Sequence, residues 1–324
     1  EIDETLFKTI VDVRNVRNNF LKNVTYIHWI HDPFKYNNDK SNPNLNKYDH
    51  VISLTNIQKT LWDKILDTRN FEIINNPLIL EPVKKRQYNK YKIVAFSSKT
   101  DWNKCLKIVE KLRQYDERFT LHICSPSYSD ISKKLCGYDF VVNHGSLSHD
   151  KMMELLRDAF VCLYPTTFEE SFGCVGYECK YYGVPMLTEY VDGSGTNEII
   201  PKEMIFPKNC DVNLYVNTIL DWYKNDNRPI LNWNHRNDEI YKQWNMLIEN
   251  DKIKDIDFVF IDGRFRAACC LKCYDIIKDD CLIAFDDFLN RPHYHIVLDY
   301  FDIVEKTEAN IMVILKKKKK VSIP

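Results

Sequence analysis

Residues 91–189 constrain the fold more than any other stretch, because strand-like and helix-like runs alternate through them. "YKIVAFSS" is a short apolar run, "DWNKCLKIVEKLRQ" repeats its apolar residues at helical spacing, and "RFTLHICS" is apolar again. The order recurs in "YDFVVNH", "SHDKMMELLRDA" and "FVCLYP", then in "GCVGYECKYYG" and "VPMLTE". Gly183 just past a helix, with Pro185 soon after, is a sound stop signal. Short apolar strands joined by amphipathic helices predict an α/β fold with a parallel sheet covered on both faces. Ligands of such sheets sit beyond the carboxyl ends of the strands.

Around this core the sequence divides into three segments: 1–85, 86–250 and 251–324. The first holds the strand-like runs "NVTYIHWI" and "YDHVISL", separated by an Asn-rich loop, then a helix "NIQKTLWDKILD" and a proline-bounded linker. The third reads strand, helix, strand in "DIDFVFIDGRFRAACCLKCYDIIKDDCLIAFDDF", and closes with an antiparallel pair in "FDIVEKTEANIMVILKKKKK". About 70 residues is small for an independent domain. The chain opens on Glu1 in amphipathic sequence, so we expect a piece of a longer protein.

A formal net charge of -1 over 324 residues gives no global field suited to nucleic acid or an anionic membrane. Eleven cysteines, odd in number and without regular spacing, read as reduced thiols of an intracellular protein and not as a disulfide framework. No run approaches the roughly 18 apolar residues of a bilayer span. A cytoplasmic location, free or at a membrane surface, is the expectation.

The loop "PTTFEES" leads from a strand into a helix that starts near Ser171 to Gly173. A helix start offers unpaired N–H groups and a partial positive charge, and Gly173 and Gly176 would keep the backbone bare for a ligand. Glu170 lies at the mouth and Glu178 inside the helix, eight residues on, or roughly 12 Å at the helical rise. That exceeds the roughly 5–10 Å between the paired acids of glycosidases. It suits a ligand with hydroxyls at both ends and phosphates between, such as a nucleotide sugar. Spacing alone equally allows a solvated loop acid and a helix-surface charge.

The residue context "EESFGCVGYECKYYGVPML" resembles the E-x7-E region of family 4 retaining glycosyltransferases, which have two Rossmann-like domains (the GT-B fold). Glu170, Phe172-Gly173, Glu178 and Gly183-Val184-Pro185 follow in the family's order. The resemblance implies that Glu170 faces the donor sugar and Glu178 the ribose, with amides around Ser171, Phe172 and Gly173 holding sugar hydroxyls. "FSSKTDWNKCL" stands in the place of a Gly-Arg…Lys-Gly loop: Lys99 where Arg is usual, Lys104 as the Lys, and Ser98 and Cys105 for the two glycines. Two lysines would meet a diphosphate as point charges, without the bidentate fork of Arg; solvated lysines beside a helix are the alternative. Asn143 to Gly145 would lie near the nucleobase, and "DGSGTNEII" matches a later glycine-rich loop with Glu198 in its acidic position. "YIHWIHDPF" is similar to the end of the family's first domain, with His31 as the catalytic histidine or as a loop histidine capped by Asp32.

The resemblance covers roughly residues 24–245 and leaves most of an acceptor site outside the chain. It implies glycosyl transfer with retention from a UDP-, GDP- or ADP-sugar to a glycan, lipid or protein acceptor. It requires no cofactor and no metal, and no nucleic acid takes part. The third segment resembles the later half of class I S-adenosylmethionine methyltransferases. There Asp262, Asp286 and Asp287 occupy positions that in some members bind a divalent cation. Its glycine-rich cofactor loop is missing, which favours a structural remnant. The C-x-x-C of Cys270 and Cys273 reads as packing, and Lys316 to Lys320 as a solvated tail or a targeting or membrane-surface patch. Two further readings remain: a methyltransferase or bifunctional glycosyl-methyl transferase, and an inactive nucleotide- or glycan-binding module.

Overall fold

The computed structural model describes residues 9–13, 20, 22, 25–30, 34, 42–66, 71–73, 87–96, 99–124, 135, 137–231, 258–261, 266–289, 291–306 and 312–318. They belong to two compact units, one made of residues 1–75 with 238–324, the other of 76–237.

The first unit opens with strands β1 (Thr9–Val13), β2 (Thr25–Trp29) and β3 (His50–Ser53), helix α1 (Asn56–Trp62) and β4 (Phe71–Ile73). The four strands form one parallel sheet in sequence order. Thr55 caps α1, its hydroxyl accepting from the Gln58 N–H at 3.3 Å.

The second unit contains β5 (Asn89–Ala95), α2 (Trp102–Arg113), β6 (Thr120–Ile123), β7 (Val141–Asn143), α3 (His149–Arg157) and β8 (Ala159–Tyr164). It continues with α4 (Cys174–Tyr181), β9 (Met186–Glu189), α5 (Thr196–Ile199), β10 (Ile205–Phe206) and α6 (Val212–Asn225). Its six strands are all parallel in the order β10-β9-β8-β5-β6-β7. This is the doubly wound arrangement, with the chain reversing direction between β5 and β8. All six residues of β8 are buried, as a central strand covered on both faces requires. Asp101 caps α2 by accepting from the Lys104 N–H at 3.0 Å, and Trp102, Cys105, Leu106, Ile108, Val109 and Leu112 turn inward on it. A buried Leu such as Leu163 of β8 stabilises by about 1.5–3 kcal/mol.

The chain then returns to the first unit with β11 (Phe258–Ile261), α7 (Arg266–Ile276), β12 (Leu282–Phe285), β13 (Phe301–Lys306) and β14 (Val313–Lys317), in the sheet order β11-β12-β14-β13. The sequence suggests a separate third segment; the structure merges it with the first. The reason lies in the period of two along its strands. Ile283, Phe285, Val313 and Leu315 join a core of this segment's own. Their neighbours Leu282, Ala284, Met312 and Ile314 pack with Tyr26 and Val51 of the N-terminal strands, Tyr48 before β3 and Trp62 of α1. A sheet apolar on both faces needs two covers, and the N-terminal segment supplies one. Lys316 and Lys317 are strand residues of β14, and Lys318 follows with its ammonium on the Leu298 carbonyl at 2.6 Å. These three lysines are therefore not a solvated tail; Lys319 and Lys320 lie outside the described residues.

Candidate functional site

Two loops meet where the sheet reverses. The loop after β5 and the loop after β8 are joined by the Asp101 N–H, which donates to the Pro165 carbonyl at 2.7 Å, and by the Thr166 hydroxyl, which donates to the Lys99 carbonyl at 2.8 Å. The second of these loops carries Glu170. Its N–H donates to Ser194 Oγ at 3.1 Å, and its carbonyl accepts from the Gly195 N–H at 2.7 Å, so the loop after β9 holds it on both sides. Oε1 of Glu170 accepts from the Tyr164 hydroxyl at 2.7 Å and faces the Lys99 ammonium at 3.1 Å. That ammonium also lies 4.1 Å from the centre of the Phe168 ring. Oε2 of Glu170 takes no hydrogen bond from the described residues.

Three residues later Gly173 caps α4 in the left-handed region, φ +73°. A methyl group there would sit 2.6 Å from Thr196 Oγ1, so glycine is required by conformation and by space. The Thr196 hydroxyl is buried and has no partner among the described residues. Gly176 faces Ile199 and Ile200, where a Cβ would come within 3.3 Å of both; its smallness serves helix packing and not ligand access, contrary to the sequence expectation. Phe172 is buried, its ring stacked on Tyr177 with centroids 4.3 Å apart. Burial also raises the Tyr177 hydroxyl well above its ordinary pKa. Of Phe172, only the main chain remains for ligand work; Ser171 beside it is half-buried.

Glu178 is buried within α4. His149 Nε2, at the start of α3, lies 2.9 Å from its Oε1, while Oε2 takes no hydrogen bond from the described residues. The hydrogen bond to Glu178 raises the His149 pKa above the ordinary histidine value, against the effect of burial. Glu170 and Glu178 thus both commit Oε1 and leave Oε2.

Lys104 is drawn to a different partner from the one the sequence suggests. Its ammonium pairs with Glu189 at the end of β9 and donates to the Cys210 carbonyl at 2.6 Å. Glu189 also accepts from the Asn209 N–H at 2.6 Å and from the Tyr215 hydroxyl at 3.3 Å. Asn143 ends β7, and its side chain accepts from the Gly145 N–H at 3.0 Å, forming a turn that Gly145 completes at φ +72°. Alongside it, His122 Nδ1 and His144 Nε2 lie 3.0 Å apart with stacked rings. Burial depresses both, His122 to about 4. His31, Asp32 and Ser98 lie outside the described residues.

The sequence singles out Glu170, Gly173 and Glu178 but not the residues that meet them, Tyr164, His149 and Thr196, nor Glu189, which pairs with Lys104. Tyr164 reads only as the last residue of a strand. No sequence spacing relates His149 to Glu178, or Lys104 to Glu189; only the parallel sheet brings each pair together.

In the other unit, Asp286 and Asp287 follow β12 at its carboxyl end, but a guanidinium occupies the place expected for a cation. Arg266 Nη1 donates to the Asp286 carbonyl at 2.6 Å and lies 3.5 Å from Asp286 Oδ2 and 3.3 Å from Asp287 Oδ2. Arg291 adds a 2.7 Å bond to Asp287 Oδ2. Asp262 lies outside the described residues. Cys270 is buried in this unit's core with Cys273 packed against it. Among the described residues no three His, Cys, Asp or Glu side chains converge on a metal position, and no helix is long and apolar enough to cross a membrane.

The fold defines an α/β protein with Rossmann-like parallel sheets, and solved structures of the GT-B kind share it. TarM is similar at a TM-score of 0.59 and 17% identity, covering 75% of this chain and 56% of that one. The pneumococcal O-GlcNAc transferase GtfA, in complex with UDP and GlcNAc, is similar at 0.56 and 13% identity, over 70% of this chain and 53% of that one. HepE from Anabaena, in complex with UDP and glucose, is similar at 0.53 and 14% identity, over 70% of this chain and 72% of that one. The chain therefore spans little more than half the length of TarM and GtfA. No protein-family model and no curated protein sequence matches it.

Proposed function

We propose that residues 76–237 form the donor-binding part of a glycosyltransferase that takes a sugar from a nucleotide-sugar and transfers it with retention of configuration. The observation that carries this reading is the pair of acids with one uncommitted oxygen each, set at the start and inside α4 beside the sheet's reversal point. Glu170 Oε2 accepts from hydroxyls of the sugar, and Glu178 Oε2 from the ribose diol. N–H groups at the Ser171–Gly173 helix start meet the groups between them. Lys99 faces the diphosphate. As the bond from the anomeric carbon to the phosphate oxygen breaks, its electron pair leaves with the nucleoside diphosphate, and Lys99 with the helix start stabilises that charge. Asn143 and Gly145 border the base. The similarity to proteins solved with UDP and a sugar supports the same reading. The nucleotide, sugar and acceptor are open to test, as are a role for His31 and a location in the cytoplasm.

A second reading is an inactive nucleotide- or glycan-binding module, favoured by one observation: Lys104 is already neutralised by Glu189, so a diphosphate must compete for it. The methyltransferase reading finds no comparable support, because Arg266 and Arg291 occupy the acids it would use. Titration of the full chain with UDP-, GDP- and ADP-sugars separates these readings. Binding with turnover supports the transferase, binding without turnover the module, and binding of S-adenosylmethionine alone would overturn both. Glu178→Ala should weaken nucleotide binding about tenfold, since the ribose diol loses its acceptor. Unchanged affinity would count against the site.

A further inference from the structure

The feature the proposed function leaves unused is the contact between His149 and Glu178, which joins two elements 29 residues apart. His149 is the first residue of α3, where the helix's partial positive charge disfavours an imidazolium. The charged groups acting on it nevertheless favour the cation: Glu178 from α4 and Asp150 next to it on α3. The ring is a little more than one-third exposed, whereas the carboxylate it meets is 9% exposed. An inward acid is thus met by an outer histidine at a single oxygen. The turn of Asn143 and Gly145 lies just upstream on the same loop, so this histidine sits between the region proposed for the base and the acid proposed for the ribose.

Resting on the donor-site reading above, we propose that His149 is a positioning residue for nucleoside recognition. Its Nε2–H holds Glu178 Oε1 and turns Oε2 toward a vicinal diol, so the chain selects ribonucleoside diphosphates over those lacking the 2′ and 3′ hydroxyls. A carboxylate inside a helix can rotate about its last bond, and a diol needs both lone-pair directions of one oxygen held still. The charge-assisted bond supplies that restraint and is stronger than a neutral one. It is complete while His149 is protonated and weakens as pH rises through its raised pKa. The same contact supports the fold fully below the unfolded histidine value of about 6.5 and loses that support above the folded one.

The test is calorimetric titration of the full chain with UDP, GDP and ADP, followed by the 2′,3′-dideoxy form of the tightest binder, between pH 6 and 9. His149→Ala should weaken the ribonucleotide roughly five- to twentyfold at pH 6 and leave the dideoxy form unchanged. His149→Gln places an amide donor near the Nε2 position. It should restore affinity and remove the fall with pH that the unaltered chain shows beyond the nucleotide's own phosphate ionisation. If His149→Ala binds the ribonucleotide as tightly as the unaltered chain while Glu178→Ala does not, the positioning role is overturned and the donor site stands. Equal weakening of the dideoxy form also overturns it, since His149 would then act on the fold or the base. If none of the three diphosphates binds the unaltered chain, or Glu178→Ala changes nothing, the donor reading falls and takes the inference with it.

Discussion

Glu170 and Glu178 follow β8 in one unit, in the loop and helix beyond its carboxyl end, and Asp286 and Asp287 follow β12 in the other, yet their surroundings differ in kind. The glutamates meet single-point donors, Tyr164, Lys99 and His149, each at Oε1. The aspartates meet guanidinium groups: the buried Arg266 spans the carbonyl of one and the carboxylates of both, and Arg291 closes on Asp287. Lys99 sits on a flexible stem with about a quarter of its side chain exposed and can follow a ligand. Arg266 is 8% exposed, and moving it removes the cation that Asp286 and Asp287 share, leaving Asp287 with Arg291. All four acids are engaged at one oxygen, so the two ends differ in the cation each acid meets and not in the oxygen left over.

The comparison can be broken most forcefully at the structural end. Arg266→Ala should lower stability by about 3 kcal/mol, as a buried bridging cation is lost, and leave nucleotide affinity unchanged. Denaturant unfolding with a parallel UDP titration checks both; lost binding with intact stability would reverse the roles assigned to the two ends. Gly173→Ala comes next, at about 2 kcal/mol, because a methyl in the left-handed region collides with Thr196. Thermal unfolding reads the cost, and the same variant should bind nucleotide poorly because the start of α4 shifts. Lys99→Ala should shift stability by less than about 1 kcal/mol but cut affinity for a nucleoside diphosphate about tenfold. A loss of stability without a loss of affinity would make Lys99 a structural residue like Arg266.

The smallest effect is one of pH. His122 is depressed to about 4, so the unfolded chain binds more protons than the folded one between that value and about 6.5. Stability should rise with pH across this window and fall on acidification through it. His122→Asn should flatten the slope in a pH series of thermal midpoints, and an unchanged slope would show that other groups set it.

The α/β class and the alternation of elements in 86–231 are legible in the sequence, because strands such as β8 are continuous apolar runs and helices such as α2 have one apolar face. The stop at Gly183 and the helix start at Gly173 are legible for the same local reason. What is not legible depends on the order of strands. β5 lies beside β8 and not beside β7, and that reversal ties the Lys99 loop to the Glu170 loop. The pairing of Lys104 with Glu189, against the expected diphosphate role, needs β9 as a neighbour of β8. Fusion of 258–318 with the first segment is hidden too, since Leu282, Ala284 and Ile314 read as strand residues without saying what covers them.

The central claim is that a nucleotide sugar lies along the start of α4 with an acid at each end. A crystal structure of the full chain with UDP-glucose tests it directly. Sugar hydroxyls should lie on Glu170 Oε2, the ribose diol on Glu178 Oε2 and the diphosphate near Lys99. A ligand bound away from α4, or a crevice there closed by Lys99 and its neighbours with no room for one, would contradict it.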